Sequence, residues 1–492
     1  MQRIISACLS ILILFVGRTG VAAMETSIIK TYMSFAYPVD PAKIKTLVDM
    51  DLSYALSTTL VDWSDARNLT EGLAKPVNSS NEKEIALQLK PEAKWSDGTS
   101  VTADQVVRSI NHAKELHEEI LKGLFESVKT IEAKDERTIV FHLNRPIAQS
   151  QILHKLTEPV YGVVFIGKDG TQDLSKTTGP YFLKSGSQEE LTLEVNTHWY
   201  AYQSSMPKKV VIRQPRSGGL SEEEGFANDP WPNLRSSSSL MSKASEASFQ
   251  KQHYSIWNRN LDRLFFISPS IKMENAEGRQ LVQAINQKLD RSILLKGLSG
   301  YHLSQQFFPP GYVIFDPEFK SGSIGTEIPE RFLKHPLHLL AAESRVGQAL
   351  KANITAALKQ VTGQEPVLKV VPLNKLSEEL KKGQYDLALL SVAVNDPNVE
   401  GPVSFLFGDT PPAIRNGAGE AGNYKAKVAR ARTLEEKARN AEYRHVFTEA
   451  TNAGCVLPLF HFSSIVVARE GIDLSGVPTT DETVAFAKIR FK

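Results

Sequence analysis

Tyr32, Phe35 and Tyr37 stand in one short stretch near the start of the chain, and Asn395-Asp396-Pro397-Asn398 follows an apolar run in its second half. Aromatic faces of this kind can wall a ligand whose side groups vary, and the same three rings would equally well fill a core. The carboxylate of Asp396 can pair with an ammonium group, and in a closed, water-poor site that pairing is stronger than at a surface. Asp before Pro is also a frequent turn arrangement, and Asn395 beside it would offer a neutral acceptor instead. Phe405, Phe407, His461 and Phe462 fit an interior better than a site.

Catalytic groupings are missing. The eleven histidines, His335, His338 and His461 among them, form no cluster with cysteine or carboxylate at metal-ligand spacing, so neither a metal nor a cofactor is expected. Neither Gly-x-Gly-x-x-Gly nor Gly-x-Ser-x-Gly falls between a strand and a helix. An exported hydrolase would need a nucleophile, a base and an orienting acid, and no recognisable motif assembles them. Binding is the chemistry that remains, with no catalytic residues.

Several elements must position these groups. Ser27 to Tyr32 reads as a strand; Pro38, Asp40 and Pro41 break it before a helix through Leu47, Leu52, Tyr54 and Leu60. Ile85, Leu87 and Leu89 alternate with polar neighbours, which makes a half-buried strand running into the turn Trp95-Ser96-Asp97-Gly98. Thr102 and Gln105 form a capping box, with Asp104 suited to the positive helix end. A helix should therefore start at Ala103 and bury Val106, Ile110 and Ala113. Val128–Ala133 and Thr138–Leu143 flank a polar turn and predict a hairpin, and Tyr181–Lys184 with Leu191–Asn196 predict a second. Ser217–Ser248, rich in Ser, Gly and Glu, with Pro230 and Pro232 around Trp231, reads mostly as loop.

In the second half, an apolar run at Leu264–Ile267 precedes a helix through Leu281, Ile285 and Leu289. Strand and helix then alternate: Leu337–Ala341, about Ser344–Val361, Val367–Val371, Leu376–Lys382 and Tyr385–Val392. That alternation implies parallel pairing and right-handed crossovers. A long charged helix from about Tyr424 to Ala450 leads into an apolar strand, Leu457–Phe462, and a further run at Ile465–Ala468.

Arg3, the apolar run Ile11–Val16 and the small residues Val21, Ala22 and Ala23 have the layout of a cleavable export signal over residues 1–23, which places the mature chain in the periplasm. Cys8 precedes the apolar run, the wrong order for lipid anchoring. Losing Arg3 and Arg18 lowers the 57 basic residues to match the 55 acidic ones, so no broad electrostatic pull toward nucleic acid is expected. Only Cys455 remains, which excludes an intrachain disulfide and leaves core burial to stabilise the chain.

The segment Glu92-Ala93-Lys94-Trp95-Ser96-Asp97-Gly98-Thr99-Ser100-Val101-Thr102-Ala103-Asp104-Gln105-Val106-Val107-Arg108-Ser109 closely resembles the signature of the family 5 extracellular solute-binding proteins, the dipeptide- and oligopeptide-binding group. Val39-Asp40-Pro41, Thr178-Gly179-Pro180-Tyr181, Gln283-Ala284-Ile285-Asn286 with Leu289-Asp290-Arg291, Gly383-Gln384-Tyr385-Asp386-Leu387 and Leu457-Pro458-Leu459-Phe460-His461 are further echoes in the family's order. The resemblance is weakest between Ser217 and Asn260. A Trp-Asp-Gly turn and a capped helix are structural devices, so these residues mark the fold and not the site.

The resemblance implies an α/β, two-lobed periplasmic binding protein fold, type II and cluster C-like, with an extra subdomain in the first lobe. Lobe I would span 24–265 with the subdomain at about 45–175, lobe II 266–462, and 463–492 would return to lobe I, with crossovers near Phe266 and His461. It further implies a ligand held between the lobes, Tyr32, Phe35 and Tyr37 lining the first-lobe loop, and a monomer that serves an ABC transporter permease. In peptide-binding members an aspartate after a second-lobe strand meets the ligand's amine. Here that strand is Tyr385–Val392, the usual aromatic-rich lead-in is missing, and either Asp396 or Asn395 would take the position. Family ligands include peptides, heme, nickel complexes, opines and oligosaccharides, so the ligand stays open between them. A sensor that kept the fold but feeds a signalling partner is the rival reading.

Overall fold

The computed structural model describes residues 27–44, 47–63, 69–77, 81–116, 127–147, 149–214, 231–237, 241–273, 275–310, 312–320, 327–342, 348–394, 399–408, 423–477 and 483–492. The chain divides into two compact units, one made of 1–235, 467–478 and 483–492, the other of 236–466 and 479–482. Among the described residues it passes from the first unit to the second at Arg235/Ser236 and back at Val466/Val467.

In the first unit, Ile28–Tyr32 pairs in parallel with Lys209–Arg213, which continues antiparallel through Glu190–Val195 to Tyr181–Gly186. A second four-stranded sheet runs Ala74–Val77, Glu84–Leu89, Thr138–Leu143, Val128–Ala133. Both hairpins expected from turn chemistry are present. The second sheet puts Ile85, Leu87, Leu89, Ile139 and Phe141 into one core with Trp95 and with Val106, Ile110 and Ala113 of the Ala103–Leu116 helix. Each Val, Leu, Ile or Phe side chain so removed from water contributes roughly 1.5–3 kcal/mol.

The capping box forms as its chemistry demands: Gln105 Oε1 accepts the Thr102 N–H at 2.9 Å, and Thr102 Oγ1 accepts the Gln105 N–H at 3.4 Å. Gln105 Oε1 also accepts the Trp95 indole N–H at 3.0 Å, which satisfies the one polar atom of a fully buried ring. Gly98 closes the preceding turn with φ +83°, a left-handed conformation open to glycine at little steric cost.

The second unit is organised on a seven-stranded mixed sheet in the order Leu234–Ser237, Leu457–Arg469, Tyr254–Pro269, Leu387–Ala393, His338–Ala342, Val367–Val371, with Tyr301–Leu303 added on Leu457–Arg469. The two strands flanking His338–Ala342 are parallel to it, as alternating strands and helices require. Consecutive residues serve opposite cores. Phe265, Ile267, Leu339 and Leu389 join the Ala276–Lys288 and Gln348–Thr362 helices, while Leu264, Phe266, Leu340 and Leu390 join Val403, Val428 and Tyr443 on the other side. Burial on both faces is why these strands read as unbroken apolar runs.

Three expectations are corrected. The long charged helix is two, Tyr424–Ala431 and Glu436–Asn452. Thr433 Oγ1 donates to the Arg430 carbonyl and ends the first, and the turn brings Lys427 against Glu449 and Arg430 against Glu442. In one straight helix, Lys427 and Glu449 would be about 33 Å apart. Leu457–Phe462 and Ile465–Ala468 are parts of one thirteen-residue strand, Leu457–Arg469. Finally, the Ser-rich region holds a helix, Lys243–Lys251, because Ser242 Oγ caps it by accepting the Ser245 N–H and Phe249 anchors it in the interior.

Candidate functional site

Tyr32 ends the first strand and Tyr37 lies five residues further along. Alternation on the strand keeps Ile29 and Thr31 buried and leaves Tyr32 half-buried. Its ring meets Trp231 at 4.9 Å, and the Arg235 guanidinium lies 5.9 Å from its centroid. Trp231 in turn carries the Arg213 guanidinium over its face at 4.2 Å, and Arg213 is held by Glu190 at 2.7 Å. The result is a cluster of aromatic rings and guanidinium groups on the first unit, with Arg235 buried and Arg213 ion-paired to Glu190.

Phe35 points inward and is 6% exposed, with its carbonyl accepting from Gln214 Nε2. Tyr37 is 41% exposed, lies against Gly186 and precedes a cis peptide to Pro38. The loop that carries both is tied down just beyond them. Asp40 Oδ2 accepts from His112 Nε2 at 3.0 Å, and its Oδ1 accepts from Gln172 Nε2 and the Ala42 N–H, each at 3.0 Å. Burial pushes the Asp40 carboxyl up, but these hydrogen bonds outweigh it and hold the group below its ordinary value. The same bond from Asp40 raises His112, against the effect of burial.

On the second unit, the strand Leu387–Ala393 and Val394 are in place, and Asn395 and Asp396 lie outside the described residues. Val399 is fully buried with φ +55°, a conformation that costs a β-branched residue of order 1–3 kcal/mol. His461 and Phe462 are buried in this unit's interior. His461 Nε2 donates to the Phe307 carbonyl at 3.0 Å, and burial pulls its pKa down to about 4, so the ring is neutral near pH 7. Phe407 is buried too, and Phe405 packs edge-on against Phe266 at 6.4 Å.

Reading the sequence missed Trp231, Arg213, Arg235 and Asn233. Trp231 stood out as a large apolar residue between two prolines in a polar stretch, but nothing local says which strand it will meet. Among the described residues, no group of three His, Cys, Asp or Glu is placed to hold a metal ion.

The family model of the bacterial extracellular solute-binding proteins, family 5, matches residues 68–413. NikA from Brucella suis, solved in complex with Fe(III)-EDTA, is 14% identical, with 94% of this chain and 100% of that one covered at a TM-score of 0.77. The dipeptide-binding protein from Pseudoalteromonas sp. SM9913, solved with Met-Leu, is 12% identical over 94% of this chain and 100% of that one at a TM-score of 0.73. At these identities the likeness establishes a shared fold. The uncharacterized protein y4wM of Sinorhizobium fredii (strain NBRC 101917 / NGR234) is 31% identical over 163 residues, 30% of this chain and 24% of that relative's length. With well over half of its length matched by the family model and the fold shared along nearly all of it, this chain belongs to the family 5 bacterial extracellular solute-binding proteins.

Proposed function

We propose that this chain is a periplasmic receptor that captures a small ligand, a peptide in the first instance, and delivers it to the permease of an ABC transporter. The observation that carries the reading is the family match, which spans the capped-helix signature and continues well into the second unit. The two units are proposed as the lobes, and residues 1–23 as the export signal. No helix among the described residues is long and apolar enough to cross a membrane.

The ligand would lie between the lobes. Of the aromatic stretch, Tyr32 and Tyr37 would form the first-lobe wall with the buried Phe35 packed behind them, and Asp396 or Asn395 would meet the ligand's amine. Binding energy would drive closure: taking it from 1:99 to 99:1 requires the ligand to favour the closed state by about 5.5 kcal/mol. Several backbone hydrogen bonds to a buried peptide are enough for that. The receptor would perform no chemistry on its ligand and would act as a monomer.

The test is native mass spectrometry of the protein expressed with its own leader, followed by denaturation and identification of what is released. A co-purified peptide that Asp396→Asn displaces would support the reading. An empty protein whose melting temperature ignores a peptide library would refute the peptide, and co-purification with a membrane sensor in place of a permease would refute the transport role.

A further inference from the structure

Ile28 and Lys30 project from the same side of the first strand, two residues apart. Together with Trp231, Arg469, Glu470 and Lys492 they line a half-open recess of about 440 Å³, and every residue lining it belongs to the first unit. Recesses of about 300–1,000 Å³ are the usual size for small-molecule sites. Tyr32, next along the same face of the strand, does not line the recess, but its ring meets Trp231, which does, so the recess adjoins the aromatic cluster described above.

Its floor is fixed by Asn233. The Asn233 side chain accepts the Lys30 N–H and donates to the Ile28 carbonyl, each at 2.7 Å, while its backbone donates to the Lys30 carbonyl at 3.0 Å and accepts the Arg469 N–H at 2.9 Å. Lys30, Arg469, Lys492 and the acidic Glu470 are the charged residues of the lining, and Lys492 also brings the α-carboxylate of the last residue of the sequence. Lys30 makes no ion pair with any described residue. Trp231 adds a flat apolar wall whose orientation is held by Arg213 stacked at 4.2 Å.

The recess also has a distinctive place in the chain. Trp231 and Asn233 stand just before the chain leaves the first unit at Arg235/Ser236, and Arg469 and Glu470 stand just after it returns at Val466/Val467. The residues that line the recess thus lie within a few positions of both passages.

We propose that this recess is a second ligand site, taking a small organic anion with a flat apolar body, of which an aromatic carboxylate is the simplest case. The carboxylate pairs with Lys30 at the strand and the ring lies on Trp231. Occupancy changes the affinity for the primary ligand by bracing the two passages; this consequence, unlike the site, rests on the closure proposed above.

The experiment is a titration of the full protein with sodium benzoate, with neutral benzamide as control, followed through the indole N–H signals of its five tryptophans. Trp231→Phe assigns the Trp231 signal. The expected result is a saturable shift of that signal, binding of benzamide at least about tenfold weaker, and a similar loss in Lys30→Met, whose retained stem keeps the packing. Unchanged melting temperature in Lys30→Met shows that the variant is folded; if it is not, Lys30→Gln replaces it. No shift up to about 20 mM benzoate overturns the site, since that concentration saturates even a millimolar ligand. Binding that moves other indoles but not Trp231, or that survives loss of Lys30, places benzoate elsewhere and overturns it equally. A site that binds benzoate but leaves peptide affinity unchanged overturns the coupling alone.

Discussion

His112, on the Ala103–Leu116 helix, is hydrogen-bonded at 3.0 Å to Asp40, 72 residues earlier in the loop that follows the first strand. The bond ties the aromatic stretch to the helical part of the first unit, and it is pH-dependent. With its folded value raised, His112 contributes stability that is complete below its ordinary value of 6.5 and is lost as pH rises through the folded value. With its folded value lowered, Asp40 contributes stability present above 3.8 and lost as pH falls through the folded value. Glu115, on the same helix, also favours the charged ring. His112→Gln should therefore cost roughly 1–2 kcal/mol in urea unfolding near pH 5, and clearly less near pH 8.5. An equal cost at both pH values would show that the bond does not depend on ring charge.

Gln105 serves two donors through one oxygen, the Thr102 N–H and the Trp95 indole. Gln105→Ala removes the cap and leaves a buried indole N–H without an acceptor, which should cost roughly 2–3 kcal/mol. Gln105→Glu keeps an acceptor and suits the helix N-terminus, so it should fall within about 1 kcal/mol of the parent. Chemical unfolding of the two variants side by side checks this.

A Cβ on Gly278 would overlap the Met273 carbonyl oxygen, and backbone cannot yield as a side chain can. Gly278 also donates its N–H to the Asn275 cap at 2.9 Å. Gly278→Ala should destabilise the second unit by roughly 2 kcal/mol or more, because steric overlap at a fixed backbone belongs with the costly substitutions. Scanning calorimetry should show the second unit's transition falling while the first unit's holds.

Phe35 and Tyr37 separate core from wall. Phe35→Ala should lower stability by roughly 3–5 kcal/mol through the cavity it leaves. Tyr37→Ala, at an exposed ring, should leave the melting temperature nearly unchanged and weaken the released ligand's binding about tenfold. Calorimetric titration with that ligand gives both numbers, and unchanged affinity in Tyr37→Ala would remove Tyr37 from the site.

Much of the fold is legible where neighbours in sequence decide it. Thr102 and Gln105 cap across three residues, Ile85, Leu87 and Leu89 state their own alternation, and Leu264–Ile267 shows burial on both faces by its unbroken apolarity. Legibility ends where distant residues decide. The turn after Ala431 is stabilised by Lys427 reaching Glu449, and no window along the chain contains that pair at helix spacing. The Lys243–Lys251 helix buries only Phe249, too little for a periodic stripe to show. The candidate site divides in the same way. The aromatic stretch announces itself by composition, whereas Trp231 and Asn233 gain meaning only from a strand some 200 residues earlier.

Cys455 is 5% exposed, and the other cysteine in the chain, Cys8, lies within the proposed export signal. A thiol so shielded reacts slowly with maleimides and methanethiosulfonates. With that signal removed, the protein would be a natural blank for site-directed labelling. Paired cysteines introduced at exposed positions, one on each unit, can carry spin labels or fluorophores with little background, so separations with and without ligand become measurable without first mutating the core.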